Sequence, residues 1–442
     1  MNNMSKAMLC VEGGYALKGE MQVSGAKNSA LFLVAAALMT DEQVTLGNMP
    51  AITDIDILHE ILLDLGIHSL WTPSENRMVI EARQLSNSVV NSKLSRKLRG
   101  SIALACPVLY RLNRCIIPYP GGDMIGKRPL DEMMRGIEMM GGDVEFAEGL
   151  FSIRIDRPLK AIEMELEYPS HTATMALMML GAVSEGRTVI TNAALEPEVI
   201  DMQELLLSMG AVMSGAGTDK IVIDGVPKLR GGSIEVMPDR LQVGTYIMGA
   251  LMTDGHLKMP TSYVEHLDKV LDLLMEAGAT CIKESDGQIS IGGHRPYKAI
   301  RFETEPYPGF PTDLQSPMMA FLSVCKGTSY AKENIFENRL LHIKEFKKMG
   351  IKVEILSERE VLISGPNEYI SGTTVNAEEI RGGAALLLCA LSMPLGYKTY
   401  ISNIGHIMRG YPSIVDTLCK LGAKISFEDS ETSETPTQTL KV

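Results

Sequence analysis

The chain has 442 residues, 45% of them apolar and 22% charged, with a formal net charge of −12. That length exceeds one ordinary core and points to two or three domains of roughly 150 residues each. The acidic balance excludes general binding to nucleic acid or to an anionic membrane, so any anion site is a local basic pocket.

The N-terminal stretch "MNNMSKAMLCVEGGYALKG" has no basic segment followed by an apolar core, so no secretory signal is expected and the expected location is cytoplasmic. The seven cysteines (Cys10, Cys106, Cys115, Cys281, Cys325, Cys389, Cys419) are scattered and form no C-x-x-C pair. This fits free thiols in a reducing compartment, not a disulfide framework or a zinc site. No metal constellation and no cofactor are expected. Two kinds of element then alternate along the chain. "ALFLVAAALM" precedes "LLDLGIHSL", and "SIALACPVLY" precedes "IEMMGGDVEF"; "ATMALMMLGAV" precedes "LLSMGAVMS", and "VGTYIMGALM" precedes "LMEAGATCIK"; "PMMAFLSVC" precedes "FKKMGIKVEI", and "GGAALLLCALSM" precedes "LCKLGAKISF". The first of each pair has no polar face and predicts a buried inner helix, too short at about ten residues to span a membrane. The second predicts an amphipathic outer helix closed by a left-handed glycine before a strand. Those glycines, Gly66, Gly141, Gly210, Gly278, Gly350 and Gly422, are spaced by 75, 69, 68, 72 and 72 residues, the period of an internal repeat.

Six units are too many for one core, so the expected fold class is α/β (α+β), in two domains that each wrap three inner helices. The expected boundaries are 27–236 for domain I, and 1–26 with 237–429 for domain II. The Ser/Thr-rich tail at 430–442 reads as disordered.

Polar residues recur where the inner helices begin: Lys27 and Asn28, Arg99, Ser170 and His171, Asp239 and Arg240, Thr312 and Asp313, Glu379 and Arg381. If rotation relates the repeats, these helix N-termini share one end of each domain, and two such ends facing each other make a cleft that favours anions. Ser170 and Thr312 are equally well read as caps. Capping is the wrong chemistry for Lys27 and the arginines, because a cation opposes the helix dipole there and is better explained by an anionic ligand.

"SGAKNSALFLVAAAL", "PGGDMIGKRPLD", "EPEVIDM", "SGAGTDKIVIDGV", "PDRLQVGTY", "PYPGFPTDLQSPMMA", "IFENRLLHI" and "HIMRGY" resemble, in order from about residue 11 to 427, the signatures of the UDP-N-acetylglucosamine 1-carboxyvinyltransferase family of enolpyruvyl transferases. The resemblance implies two inside-out α/β domains of three repeats with the active site between them. It also implies a reaction of phosphoenolpyruvate with UDP-N-acetylglucosamine that opens peptidoglycan precursor synthesis. By the same resemblance Asp313 is the base beside the attacked hydroxyl, with N-capping as its bland alternative. Lys27, Asn28, Arg128 and Arg409 meet phosphoenolpyruvate. Arg99, Arg128, Pro129, Leu130, Asp131, Glu132, Ser170, Asp313 and Ile335 meet the nucleotide sugar, and Arg339, Glu379 and Arg381 complete the cleft. Lys27 and Arg409 are counted with the catalytic residues.

Gly121 through Lys127 also spell the first seven positions of a phosphate-binding P-loop, but Arg128 and Pro129 follow where a Ser or Thr is required. The loop is instead expected to be a glycine-hinged lid, with Pro129 in the first turn of the helix "LDEMMRGIEMM". In the resembling family the position of Asp123 usually carries a cysteine that fosfomycin alkylates. Asp123 is therefore expected to be the general acid and the chain insensitive to that compound. Lys127 and Arg128 work against its holding a proton, while loop closure and a phosphate dianion work in favour. His171 and Thr172, Glu132, Glu379 and Met408 depart from the family pattern. They leave open a related transferase with another acceptor, such as another uridine nucleotide or shikimate 3-phosphate, or a non-catalytic regulatory relative.

Overall fold

The computed structural model describes residues 7–123, 125–156 and 158–429; the tail from 430 lies outside them. The chain divides into two compact units. One comprises Val23–Leu241 with Glu305–Pro311, and the other comprises Met1–Gln22, Gln242–Thr304 and Thr312–Val442. These limits differ by a few residues from the expected boundaries at 26/27 and 236/237. An antiparallel bridge between Gly25 and Pro238, and a hydrogen bond from the Ala26 N–H to the Met237 carbonyl, group 23–26 and 237–241 with the first unit.

The first unit holds α1 (Lys27–Ala37), α2 (Thr53–Asp64), α3 (Ala105–Leu112), α4 (Asp131–Met139), α5 (His171–Gly181) and α6 (Pro197–Ser208). α7 (Arg240–Met252) leads into the second unit, which holds α8 (Asp268–Ala277), α9 (Gln315–Leu322), α10 (Ile343–Lys348), α11 (Ile380–Ser392) and α12 (Ile414–Lys420). The apolar runs become the inner helices. Every residue from Ser29 to Ala37 is buried in α1, and every residue of α11 is buried. A segment hidden on all sides has no polar face to display, which is why the sequence shows no helical periodicity there. The outer helices do show it. α8 buries Val270, Leu271, Leu273, Leu274 and Ala277, a single stripe at helical spacing. All six repeat glycines have positive φ, between 83° and 113°, so each outer helix reverses through the left-handed region that disfavours a Cβ.

Each repeat contributes one small sheet of a common design: a strand pairs in parallel with its neighbour on one side and continues on the other into an antiparallel pair. In the first unit Gly232–Glu235 lies parallel to Gln43–Gly47, followed by Arg77–Glu81 and His68–Thr72. The third repeat matches it with Glu163–Glu165, Arg187–Thr191, Lys220–Asp224 and Val212–Ser214. The second has three strands, Arg114–Pro118, Leu150–Ile155 and Gly142–Ala147, and a single parallel bridge from Val89 to Ile116 marks the place of the fourth. In the second unit the sheet of Lys398–Ser402 takes its antiparallel partner from the start of the chain, Ala7–Glu12, which pairs in turn with Lys424–Asp429. Joining the first strand to the last repeat ties the N-terminal segment into the second unit.

Candidate functional site

In the first unit the polar residues gather around the N-terminal turn of α1. Ala26 provides no side-chain cap, and the Lys27 N–H is instead accepted by Asp239 Oδ2 at 3.4 Å. The Lys27 ammonium lies 3.4 Å from Asp54 Oδ2 on the first turn of α2; the lysine side chain is 14% exposed and the aspartate 2%. A buried acid thus holds a largely buried cation, which offsets the unfavourable helix dipole. Two residues on, the Ser29 hydroxyl donates to Asp201 Oδ2 at 2.6 Å, and the same oxygen accepts the Met237 N–H at 3.0 Å. Burial pushes the Asp201 carboxyl up to about 6, against the opposing effect of these two hydrogen bonds. Arg240 and Glu198 form a buried ion pair at 3.2 Å, with the guanidinium over the Tyr307 ring at 5.4 Å. Burial acts to raise the Glu198 carboxyl, but the charges of Arg240 and His171 outweigh it and leave it below its ordinary value. The His171 ring sits edge-on to Phe32 on α1, centroids 5.4 Å apart.

The loop at 119–129 is laced to the segment ahead of α3. Arg99 opens a 3-10 turn over Arg99–Leu104, and its Nη2 donates to the Arg128 carbonyl. The Tyr119 hydroxyl donates to the same carbonyl at 3.2 Å, and its ring lies under the Arg99 guanidinium at 5.3 Å. Arg128 Nη2 in turn donates to the Asp123 carbonyl at 2.7 Å. Gly121 does more than loosen the chain: a Cβ there would stand 1.6 Å from the Arg96 carbonyl oxygen, so only glycine permits the close approach. Met124 lies outside the described residues. Pro129 is displaced from its expected place, because α4 begins at Asp131 with Leu130 as N-cap and the proline precedes the cap. Leu130 is buried, and Asp131 and Glu132 supply acids to the first turn of α4, as its dipole favours. Glu132 binds Arg135 at 2.8 Å and accepts the Glu167 N–H at 3.2 Å. Ser170 caps α5, accepting the Ala173 N–H at 3.3 Å.

The second unit builds a cluster of opposite polarity. Asp313 lies in a 3-10 turn, Thr312–Leu314, immediately before α9. Arg339 donates to its Oδ1 at 2.6 Å and Arg381 to its Oδ2 at 2.9 Å, so its carboxylate faces two guanidinium groups. The arginine side chains are 1% and 3% exposed and the aspartate 24%. Glu379 caps α11, accepting the Arg381 and Gly382 N–H groups, and thereby fixes the turn from which Arg381 projects. Buried Glu333 accepts the Thr312 hydroxyl at 3.0 Å and the N–H groups of Ile335 and Phe336 at 2.8 and 2.9 Å, so one carboxylate orders the residue before Asp313 and the turn that carries Ile335. Arg381 also lies over the Tyr411 ring at 5.1 Å. Arg409, half-buried, closes the short helix Gly405–Met408 with its N–H on the Gly405 carbonyl at 3.2 Å.

The EPSP synthase family, 3-phosphoshikimate 1-carboxyvinyltransferase, matches residues 11–418. The UDP-N-acetylglucosamine 1-carboxyvinyltransferase 1 of Caldanaerobacter subterraneus subsp. tengcongensis is 37% identical over 95% of this chain and 99% of its own length. The protein of the same name from Symbiobacterium thermophilum is 41% identical over 94% of each. The chain belongs to the UDP-N-acetylglucosamine 1-carboxyvinyltransferases of the EPSP synthase family. Among solved structures the enolpyruvyl transferase NikO from Streptomyces tendae shares the fold, with a TM-score of 0.84 at 24% identity over 96% of this chain and 99% of that one. EPSP synthase from Acinetobacter baumannii follows, with a TM-score of 0.68 at 17% identity over 96% of this chain and all of that one.

For a carboxyvinyltransferase chain, motif reading singled out Lys27, Asp313 and the buried Arg339 and Arg381, and missed several buried acids that support the singled-out residues. Asp54, Glu198, Asp201 and Glu333 are all buried, and each pairs with or accepts from a residue that the sequence singled out or its helix. The available signal was acids inside otherwise apolar periodic stretches, as in "TDIDIL" and "EPEVIDM". Among the described residues no helix is long and apolar enough to cross a membrane. The seven cysteines are free, and burial pushes the Cys115 thiol far above its ordinary range, so it is no substitute for a loop thiolate.

Proposed function

We propose that this chain transfers the enolpyruvyl group of phosphoenolpyruvate to the 3-hydroxyl of UDP-N-acetylglucosamine, releasing phosphate in the cytoplasm as the first committed step of peptidoglycan precursor synthesis. The observation that carries the reading is relation over nearly the whole chain, at 37–41% identity, to proteins of that name. In the addition step a proton is added to C3 of the enol while the sugar oxygen bonds to C2 and surrenders its own proton. In the elimination step the C2–O bond to phosphate breaks, a proton leaves C3 and the double bond returns. Two acid/base groups and a cationic cradle are required. Asp313, oriented by Arg339 and Arg381, takes the hydroxyl proton, and Asp123 supplies the proton to C3. Lys27, Arg128 and Arg409 hold the phosphate and carboxylate of phosphoenolpyruvate, with Asn28 at the same junction. Arg99, the 128–132 segment, Ser170 and Ile335 hold the nucleotide sugar.

A phosphate-release assay with phosphoenolpyruvate and a panel of acceptors tests the proposal. Release is expected with UDP-N-acetylglucosamine and not with shikimate 3-phosphate. Release with another uridine nucleotide alone transfers the reading to that acceptor, and none with any acceptor overturns it.

A further inference from the structure

We propose that Asp201 is a positioning residue for Lys27, fastening the first turn of α1 to the 237–239 segment that caps it, and that it does this fully only as the carboxylate. The inference rests on the reading of Lys27 as a phosphoenolpyruvate ligand. Asp201 Oδ2 accepts from Ser29 at 2.6 Å and from the Met237 N–H at 3.0 Å, so a single oxygen joins two segments distant in sequence. Around it the same segments are laced by their backbones: Ala26 N–H to the Met237 carbonyl at 2.8 Å, and Asp239 N–H to the Ser24 carbonyl at 3.0 Å. Asp239 then accepts the Lys27 N–H through Oδ2 and the Leu241 N–H through Oδ1. The place of Lys27 is therefore set from behind by a network whose central acceptor is Asp201.

An amide would offer the same acceptor geometry without burying a charge. The acid sits there despite burial that raises its carboxyl to about 6, with Glu198 and Glu204 on its own helix adding to the cost. The other charged groups of these segments are Lys27 on α1 and Asp239 and Arg240 on the capping segment, with Arg240 committed to Glu198. Hydrogen bonds to a carboxylate are shorter and stronger than those to an amide, so the charged form grips Ser29 and Met237 more tightly despite its cost in stability.

The test compares the full-length protein with Asp201→Asn, which keeps the oxygen and removes the charge, and with Ser29→Ala. At pH 8 the KM for phosphoenolpyruvate should rise about tenfold in Asp201→Asn and approach the wild-type value by pH 5, where wild-type Asp201 is itself protonated. The same variant should be at least as resistant to urea as wild type at pH 8, an outcome that a merely structural role would reverse. Amide exchange at Met237 and across 24–30, followed by mass spectrometry without ligand, should accelerate about tenfold in both variants at pH 8. An active enzyme whose KM is unchanged in Asp201→Asn overturns the inference, as does unchanged exchange. Absence of phosphate release by the wild type overturns the proposed function instead, and the exchange data alone then decide whether Asp201 holds the segment.

Discussion

The Lys27 cluster and the Asp313 cluster are built as charge inverses. In the first a nearly inaccessible carboxylate, Asp54, presents a partly exposed ammonium; in the second two nearly inaccessible guanidiniums, Arg339 and Arg381, present a partly exposed carboxylate. In both the charge proposed to meet substrate is the more accessible member and its counter-charge is sealed in the protein. The difference lies in number: one anion supports the lysine, whereas two cations converge on the aspartate. A buried ion that loses its partner is costly, so the second cluster is the more fragile to single substitutions.

Asp313→Asn should therefore have the largest effect. It removes the carboxylate that two buried guanidiniums share, and by analogy with broken buried pairs unfolding should become easier by about 3 kcal/mol. Turnover should also fall by roughly 10² to 10⁴, the scale of a lost general base. Urea denaturation and phosphate release measure the two losses; a stable, active variant would show that the arginines, and not the acid, are the functional members.

Asp123 is half-buried, on the loop at 119–129. Asp123→Ala should lower turnover by roughly 10² with little change in stability. Fosfomycin should leave the wild type active, and Asp123→Cys should acquire time-dependent inactivation. Covalent inactivation of the wild type at this position contradicts the assignment. Asp54→Asn should have a milder effect, because it removes the counter-charge of one largely buried cation where Asp313→Asn removes that of two. A rise of about tenfold in the KM for phosphoenolpyruvate is expected, with a smaller loss of stability than in Asp313→Asn. Equal losses from Asp54→Asn and Asp313→Asn would erase the asymmetry between the clusters.

The repeat was legible because each outer helix needs a left-handed stop and each inner helix needs apolar surface all round, and both demands fall on residue type. The accessible ends of the clusters, Lys27 and Asp313, were legible because a cation or an acid at the start of an apolar helix is chemically conspicuous. Ser170 and Glu379 show the limit of that signal, since both side chains cap their helices. The buried supports were hidden for another reason. Asp54 lies in an acidic first helical turn and Asp201 in an amphipathic helix, where acids are ordinary, and only packing reveals that Asp54 faces Lys27 or that Asp201 meets Met237 from 36 residues away. The unit limits were legible to within a few residues; the remaining shift comes from the bridge between Gly25 and Pro238, which pairs segments with no strand-like sequence, and the place of Glu305–Pro311 with the first unit was not legible.

Acid gives a further way to compare the two regions. His342, near Arg339 in the second unit, is 4% exposed, and both ring nitrogens lack a hydrogen-bond partner. Burial, then the Arg339 charge, pushes its pKa down to about 3. The unfolded chain binds a proton near pH 6.5 that the folded one refuses, so the stability due to a neutral His342 is complete above pH 6.5 and drains away as pH falls toward 3. At about 1.4 kcal/mol per pH unit, roughly 2 kcal/mol is lost between pH 6.5 and 5. Asp201 in the first unit has the opposite sign. Its carboxyl is raised, so the stability lost to its buried charge is recovered as pH falls through about 6 toward the ordinary aspartate range. The two contributions oppose each other in the wild type and separate in variants. His342→Phe keeps a ring against Phe346, now 4.9 Å from the imidazole centroid, and should flatten the acid limb of urea unfolding between pH 6.5 and 5. Asp201→Asn should steepen it. Parallel acid limbs in wild type and both variants would remove these two residues as the source of any difference between the regions.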